Sequence, residues 1–137
     1  TGDVSTLWLS GCCLLIRTQQ FLELGGFDPN LFMYYEEFDI CKRANIHGME
    51  CILAAHAHIK HRSNTSSSPS FKVSYIKHLH WARSKRIFLN KHAIQITSTG
   101  ECFIKFLANF VMALISLLTL NPKRFLKFAA RAHSYLF

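Results

Sequence analysis

Leu31-Phe-Met-Tyr-Tyr-Glu-Glu-Phe-Asp-Ile-Cys-Lys-Arg43 decides how the rest of this chain is read. Three acids, Glu36, Glu37 and Asp39, fall within four positions where a helix is expected to begin. Apolar Ile40 follows, and Lys42 and Arg43 close the segment. The positive end of the helix dipole makes carboxylates comfortable at that place. A carboxylate held at a helix start and facing a cleft can take a proton from a hydroxyl group. The plainer reading of the same pattern is capping plus a solvated face, because helix starts are commonly acidic.

Working outward, the helix is expected over Glu36–Ile46 with a stop at His47-Gly48. Upstream, Asp28-Pro29-Asn30 reads as a turn. Thr18 is a fair N-cap for a short helix, Gln19–Leu24, ended by Gly25-Gly26. The apolar run Leu7–Ile16 is rich enough for a buried strand, with Ser10-Gly11 marking a bulge or a close approach. Downstream, Glu50–Ala55 and His56–His61 read as short strands. Alternation would place His56 and His58 on one strand face and His61 on the other. Arg62 opens a polar loop of small hydroxyl residues through Ser70, a type that is often functional. A basic, aromatic helix is expected over Phe71–Lys91.

The last third changes character. Phe103–Leu120 is almost wholly apolar, and its few polar residues, Lys105, Asn109, Ser116 and Thr119, fall near one stripe. The pattern gives a helix with a wide apolar face and a narrow polar one. Asn121-Pro122 breaks it and starts a final helix carrying Lys123, Arg124, Lys127 and Arg131 among Phe and Leu.

The 137 residues, half of them apolar, suit one domain or part of a larger one. The chain starts at Thr1 without Met and shows no signal peptide, so a piece of a longer protein is expected. Sixteen basic residues against eight acids give a formal charge of +8, unevenly placed. Seven of the eight acids lie before residue 55, and most of the basic residues lie beyond 59. The acidic part suits chemistry or a divalent cation, and the basic part suits phosphates or anionic lipid. Nucleic acid is not expected as a partner, since no recognition motif accompanies the charge. The five cysteines form no CxxC pair and sit in apolar surroundings. They read as buried thiols of a reducing compartment rather than a disulfide frame or zinc site.

Five pieces in order carry a resemblance: Trp8-Leu-Ser-Gly-Cys-Cys-Leu-Leu-Ile-Arg17, Phe21-Leu-Glu-Leu-Gly-Gly-Phe-Asp28, Phe32–Arg43, Ala57-His-Ile-Lys-His61 and Ser66. Together they resemble family 2 glycosyltransferases, in particular the rhamnosyltransferase-like enzymes of bacterial surface polysaccharide synthesis. The resemblance covers roughly residues 5–92. It implies an α/β fold, the C-terminal, acceptor-side part of a GT-A (Rossmann-like) domain with few short strands. Residues 93–137 would then form a helical, apolar and basic extension. The family's early GxG-like turn and its Asp-x-Asp metal motif have no match here. Most of the nucleotide pocket would therefore lie upstream, and the piece alone is expected to be inactive.

The resemblance also assigns roles. Glu37 aligns with the Asp of the family's Tyr-Glu-Asp-x-Asp motif, the base that deprotonates the acceptor hydroxyl for inverting attack on the donor sugar. Glu therefore stands where Asp is usual, at similar intrinsic acidity but one methylene longer. Glu36 and Asp39 are the neighbouring catalytic candidates, Asp39 also being placed to order the helix start or to pair with Arg43. Ser10 and Gly11 match small residues lining the sugar pocket, and Trp8 is a stacking candidate for a sugar ring. Arg62 and the serine loop would close over the diphosphate. His61 matches a histidine that helps bind the diphosphate or the divalent metal, Mg or Mn, most of whose ligands would lie upstream. Implied partners are a nucleotide-sugar donor and a saccharide or lipid-linked acceptor. The basic helix Lys77–Arg86 would face phosphates of either one.

For residues 101–137 a membrane-surface helix followed by a basic amphipathic one fits better than a span, because Lys105 and Asn109 interrupt it. The expected place is cytoplasmic, peripheral at the inner face of the membrane. The competing reading of the whole chain is a non-catalytic module that binds membrane or lipid phosphate.

Overall fold

The computed structural model describes residues 2–62, 70–95 and 97–136. By packing, the chain divides into two units, residues 1–63 and 64–137. The expected boundary near residue 92 therefore does not coincide with the packing boundary. The basic helix, grouped above with the first part, packs with the C-terminal helices.

The first unit is built on two three-residue strands, β1 (Val4–Thr6) and β2 (Cys51–Leu53). They pair antiparallel, Val4 opposite Leu53 and Thr6 opposite Cys51. Asp3 extends the ladder by accepting the Ala55 N–H through its side chain at 3.0 Å. Two helices lie between the strands in sequence, α1 (Thr18–Glu23) and α2 (Glu36–Ile46). The sequence reading placed α2 at the same residues. It set Thr18 as the cap of α1, where the cap is Arg17.

Gly25 and Gly26 end α1 as expected: the Gly26 N–H bonds Phe21 O and the Gly25 N–H bonds Leu22 O, each at 2.9 Å. Both glycines sit at positive φ (77° and 70°), which that closing turn requires. The Asp28 side chain accepts from the Asn30 N–H at 2.9 Å and forms the expected turn. The core is small. Leu24, Ile40, Cys41 and Cys51 are buried, with Leu9, Ile16, Phe21, Ala44 and Met49 packed around them.

Two expected strands do not form. Residues 7–16 are irregular, and Leu7 and Leu15 are 79% and 100% exposed. Residues 56–61 are likewise not a strand and lie exposed, so the two-faced arrangement of the histidines lapses. The reason is a lack of partners. An apolar run becomes a buried strand only with a ladder beside it and a covering layer. Here β2 is short, is already paired with β1, and ends in a turn, Ala57 N–H to Ala54 O.

The second unit is helical: α3 (Phe71–Lys91), α4 (Thr99–Leu118) and α5 (Pro122–His133). Again α3 falls where the pattern placed it. Each helix starts on a side-chain cap, from Ser70, Ser98 and Asn121 in turn. Such caps contribute about 1 kcal/mol each. Helix α5 packs against both α3 and α4. The Tyr75 hydroxyl and His133 Nδ1 bridge α3 to α5 at 2.8 Å.

Helix α4 is assembled inside out. Its buried residues are Ala113 and Ser116, and Lys105 and Asn109 lie half-buried on the same stripe. Ser116 Oγ and Asn109 Nδ2 each donate to the carbonyl one turn back, Met112 O and Lys105 O, at 2.7 Å. With those groups satisfied, the narrow polar face can pack inward. The wide apolar face, Phe103, Ile104, Leu107, Phe110, Leu114 and Leu118 among others, is left exposed. Among the described residues α4 is long and apolar enough to cross a membrane by length and composition, and little of it is buried. The polar interruptions that argued against a span therefore face inward rather than out.

Candidate active site

The site in the first unit begins with an unusual corner. Tyr34 and Tyr35, immediately before α2, both adopt left-handed backbone, φ 66° and 69°. Residues with a Cβ avoid this region at a cost of roughly 1–2 kcal/mol each. Such strain persists where surrounding structure holds it, and it gathers at functional sites. The corner delivers Glu36 and Glu37 to the first turn of α2.

Each of these carboxyl groups buries its Oε2, and neither Oε2 has a hydrogen-bond partner. Burial pushes the Glu36 carboxyl above the ordinary range, and the charge of Glu37 adds to the rise, against a lowering by its own backbone N–H. Burial and then the charge of Glu37 also raise the Tyr35 phenol. Burial and the neighbouring charge thus disfavour the charged form of Glu36.

Gly11 lies directly against Glu37. A Cβ built on Gly11 would stand 3.5 Å from Glu37 Cβ and 3.6 Å from its carboxyl carbon. The close approach at Gly11 is by the Glu37 side chain, where a ligand or backbone was expected. Ser10 is exposed and its Oγ accepts weakly from the Cys12 N–H at 3.4 Å. Trp8 stacks on Phe38 with ring centroids 4.5 Å apart, and Phe38 in turn lies 5.2 Å from the Tyr35 ring. These three rings form a ledge along the start of α2, and Trp8 leaves about half its surface open. A flat, half-open aromatic face suits the C–H face of a sugar ring. Phe38 and Tyr35 escaped the sequence reading as site residues. Only the thirty-residue spacing of Trp8 and Phe38, closed by the fold, makes the ledge.

Asp39 does not join the open carboxylates. It is fully buried and bonded to Arg43. His61 and Arg62 lie exposed on the chain after β2. Residues 63–69 of the serine loop, Ser66 included, lie outside the described residues. The metal assignment does not stand by itself. Among the described residues no three His, Cys, Asp or Glu side chains group tightly enough to hold a cation. Of the cysteines, Cys41 and Cys51 are buried as expected, but Cys12 and Cys13 are exposed, because the strand expected to bury them does not form.

Comparison with known proteins follows the same direction. The family model of glycosyl transferase family group 2 matches residues 1–135. Rhamnosyltransferase WbbL of Escherichia coli K12 is 33% identical over 101 residues, covering 71% of this chain and 38% of that protein. The N-acetylglucosaminyl-diphospho-decaprenol L-rhamnosyltransferase of Mycobacterium tuberculosis is 38% identical over 60 residues, 44% of this chain and 20% of that protein. The chain thus spans well under half the length of these curated relatives. No solved structure matches it.

Proposed function

Because the chain belongs to glycosyl transferase family group 2, we infer that it is the acceptor-side part of an inverting sugar transferase and that Glu37 is its general base. The observation that carries the reading is the Glu37 carboxylate, with a buried, unbonded Oε2, at the strained corner and beside the Trp8–Phe38 ledge. A desolvated acceptor oxygen without a partner is ready to accept a proton.

The chemistry follows from that geometry. The acceptor sugar rests on Trp8, with Gly11 leaving room for its hydroxyl next to Glu37. The hydroxyl proton passes to Glu37, and the freed oxygen bonds to the anomeric carbon of the donor. The bond from that carbon to the diphosphate breaks on the opposite face, and the nucleoside diphosphate leaves with the electron pair. Configuration at the carbon inverts.

The donor would be a nucleotide sugar, held mainly by an upstream Rossmann-like half of a GT-A domain. A divalent ion, Mg or Mn, would serve the leaving diphosphate there. His61 offers at most a single ligand, so no step is routed through it. The acceptor would be a saccharide or a lipid-linked one. The diphospho-decaprenol acceptor in the mycobacterial relative's name supports the lipid-linked case. The exposed apolar face of α4 supports contact with a membrane, which in this reading is peripheral and at the cytoplasmic face. Family membership favours this reading over a non-catalytic lipid-binding module.

The test is Glu37→Gln in the full-length protein, measured as nucleotide release from a panel of nucleotide sugars with and without acceptor. Turnover should fall by about 100-fold or more while donor KM and folding hold. Turnover kept within a few-fold of the parent would overturn the assignment.

A further inference from the structure

The second unit holds a cavity that the transfer chemistry leaves unused. It measures about 400 Å³ and lies among α3, α4 and α5. That volume suits a small ligand or the head of a larger one. Four cations line it: Lys85 and Arg86 from α3, Lys105 from α4 and Arg131 from α5. Two of them are held over Trp81, Lys85 Nζ at 5.3 Å and Arg131 Cζ at 5.2 Å from the ring centroid. Arg86 lies over the Tyr135 ring at 5.5 Å. The rings fix the cations without neutralising them.

Charge balance is one-sided. Glu101 pairs with Lys105 at 2.5 Å and is the single acid of residues 64–137. Buried Arg131 Nε makes no hydrogen bond. A buried guanidinium N–H without an acceptor is costly, and a phosphate oxygen is the acceptor its fork matches best. The field is felt by His78, whose imidazole is held below its ordinary value by burial and by Arg131 and Lys127.

The helix that carries Lys105 into the cavity presents its bare apolar face to the outside. A cationic recess and an exposed apolar helix on one small unit call for a ligand with both characters. We propose that the cavity among α3, α4 and α5 binds the phosphate head of a membrane lipid while the apolar face of α4 rests in the hydrocarbon beside it. The proposal does not depend on the transferase reading.

Trp81 lines the cavity and reports on it. With Trp8→Phe, the full 137-residue chain carries Trp81 as its sole tryptophan. Vesicles of phosphatidylcholine containing phosphatidic acid should bind and shift Trp81 emission. Pure phosphatidylcholine vesicles should bind far more weakly, without the shift. Arg131→Gln, and Lys85→Gln on the exposed side of the helix as a variant harmless to folding, should each weaken the phosphatidic acid response at least tenfold. Lys123→Gln, the same charge loss on α5 outside the cavity, should cost no more than about fivefold. Inorganic pyrophosphate alone should produce the shift only at far higher concentration than the lipid. Equal losses for Lys123→Gln and the cavity variants would overturn the proposal in favour of diffuse surface charge. A pyrophosphate response as tight as the lipid's would overturn it in favour of a soluble-phosphate site. An unshifted Trp81 on bound vesicles would overturn it as well.

Discussion

Arg43 holds Asp39 from one turn further along α2, Nε and Nη2 each 2.8 Å from Oδ2. The same guanidinium donates to Gly26 O at 2.7 Å and to Leu24 O. One side chain therefore ties α2 to the turn that ends α1. A buried ion pair is weak evidence for stability in itself, but removing one partner strands the other. Asp39→Asn should destabilise the chain by about 3 kcal/mol in chemical denaturation. Arg43→Lys keeps the charge but loses the fork that serves three acceptors, and should cost about 1–2 kcal/mol. A neutral outcome for both would mean that the clamp does not fasten the helix.

Glu37→Asp separates a base from a structural acid. If Glu37 takes the proton, Asp should retain more turnover than Gln, reduced by about 100-fold at worst for a displacement near 1 Å. Gly11→Val should lower acceptor kcat/KM with little effect on the fold, since the new methyl groups would crowd the Glu37 carboxyl. Steady-state kinetics on the full-length protein reads both.

Glu36 makes stability depend on pH. Its folded-state value is raised, so the folded chain binds the proton more tightly than the unfolded one. That contribution is present below the unfolded value, about 4.3, and is lost as pH rises through the folded value. Glu36→Gln removes the buried charge. It should raise Tm at neutral pH and leave it unchanged near pH 4, a difference thermal melts at the two pH values would show.

The cysteines should divide by reactivity. Cys12 and Cys13 are exposed, whereas burial and contact with Cys41 push the Cys51 thiol up to about 11. At mildly alkaline pH a maleimide should label Cys12 and Cys13 well before Cys41 and Cys51, since the thiolate is the nucleophile. Mass mapping of partly labelled protein checks the order.

Leu120 closes α4 at φ 50°, with Asn121 N–H bonded to Ser116 O at 3.0 Å. That is a glycine's conformation, and the Leu120 side chain is 87% exposed. Leu120→Gly should stabilise the second unit by about 0.5 kcal/mol, the relief of the strained backbone exceeding the added unfolded-state entropy. A loss of stability would show that Leu120 is covered in solution.

Local chemistry determined much of this protein from the sequence alone. The limits of α2 and α3, the glycine stop of α1, the Asp28 turn and the Pro122 start all depend on neighbours within a few residues. The Asp39–Arg43 pair was legible for the same reason, as side chains one helical turn apart must meet. The strands expected at 7–16 and 56–61 were not so determined, because a strand is defined by a partner the segment itself does not contain. The Trp8–Phe38 stack and the contact of Gly11 with Glu37 bring together residues about thirty positions apart, and only folding brings them together. Helix α4 shows the division most clearly. Its pattern announced a narrow polar stripe and a wide apolar face, but periodicity cannot say which side is inside. Packing against α5 decided that. It turned Ala113 and Ser116 inward, where small residues let helices approach closely, and left the apolar side bare.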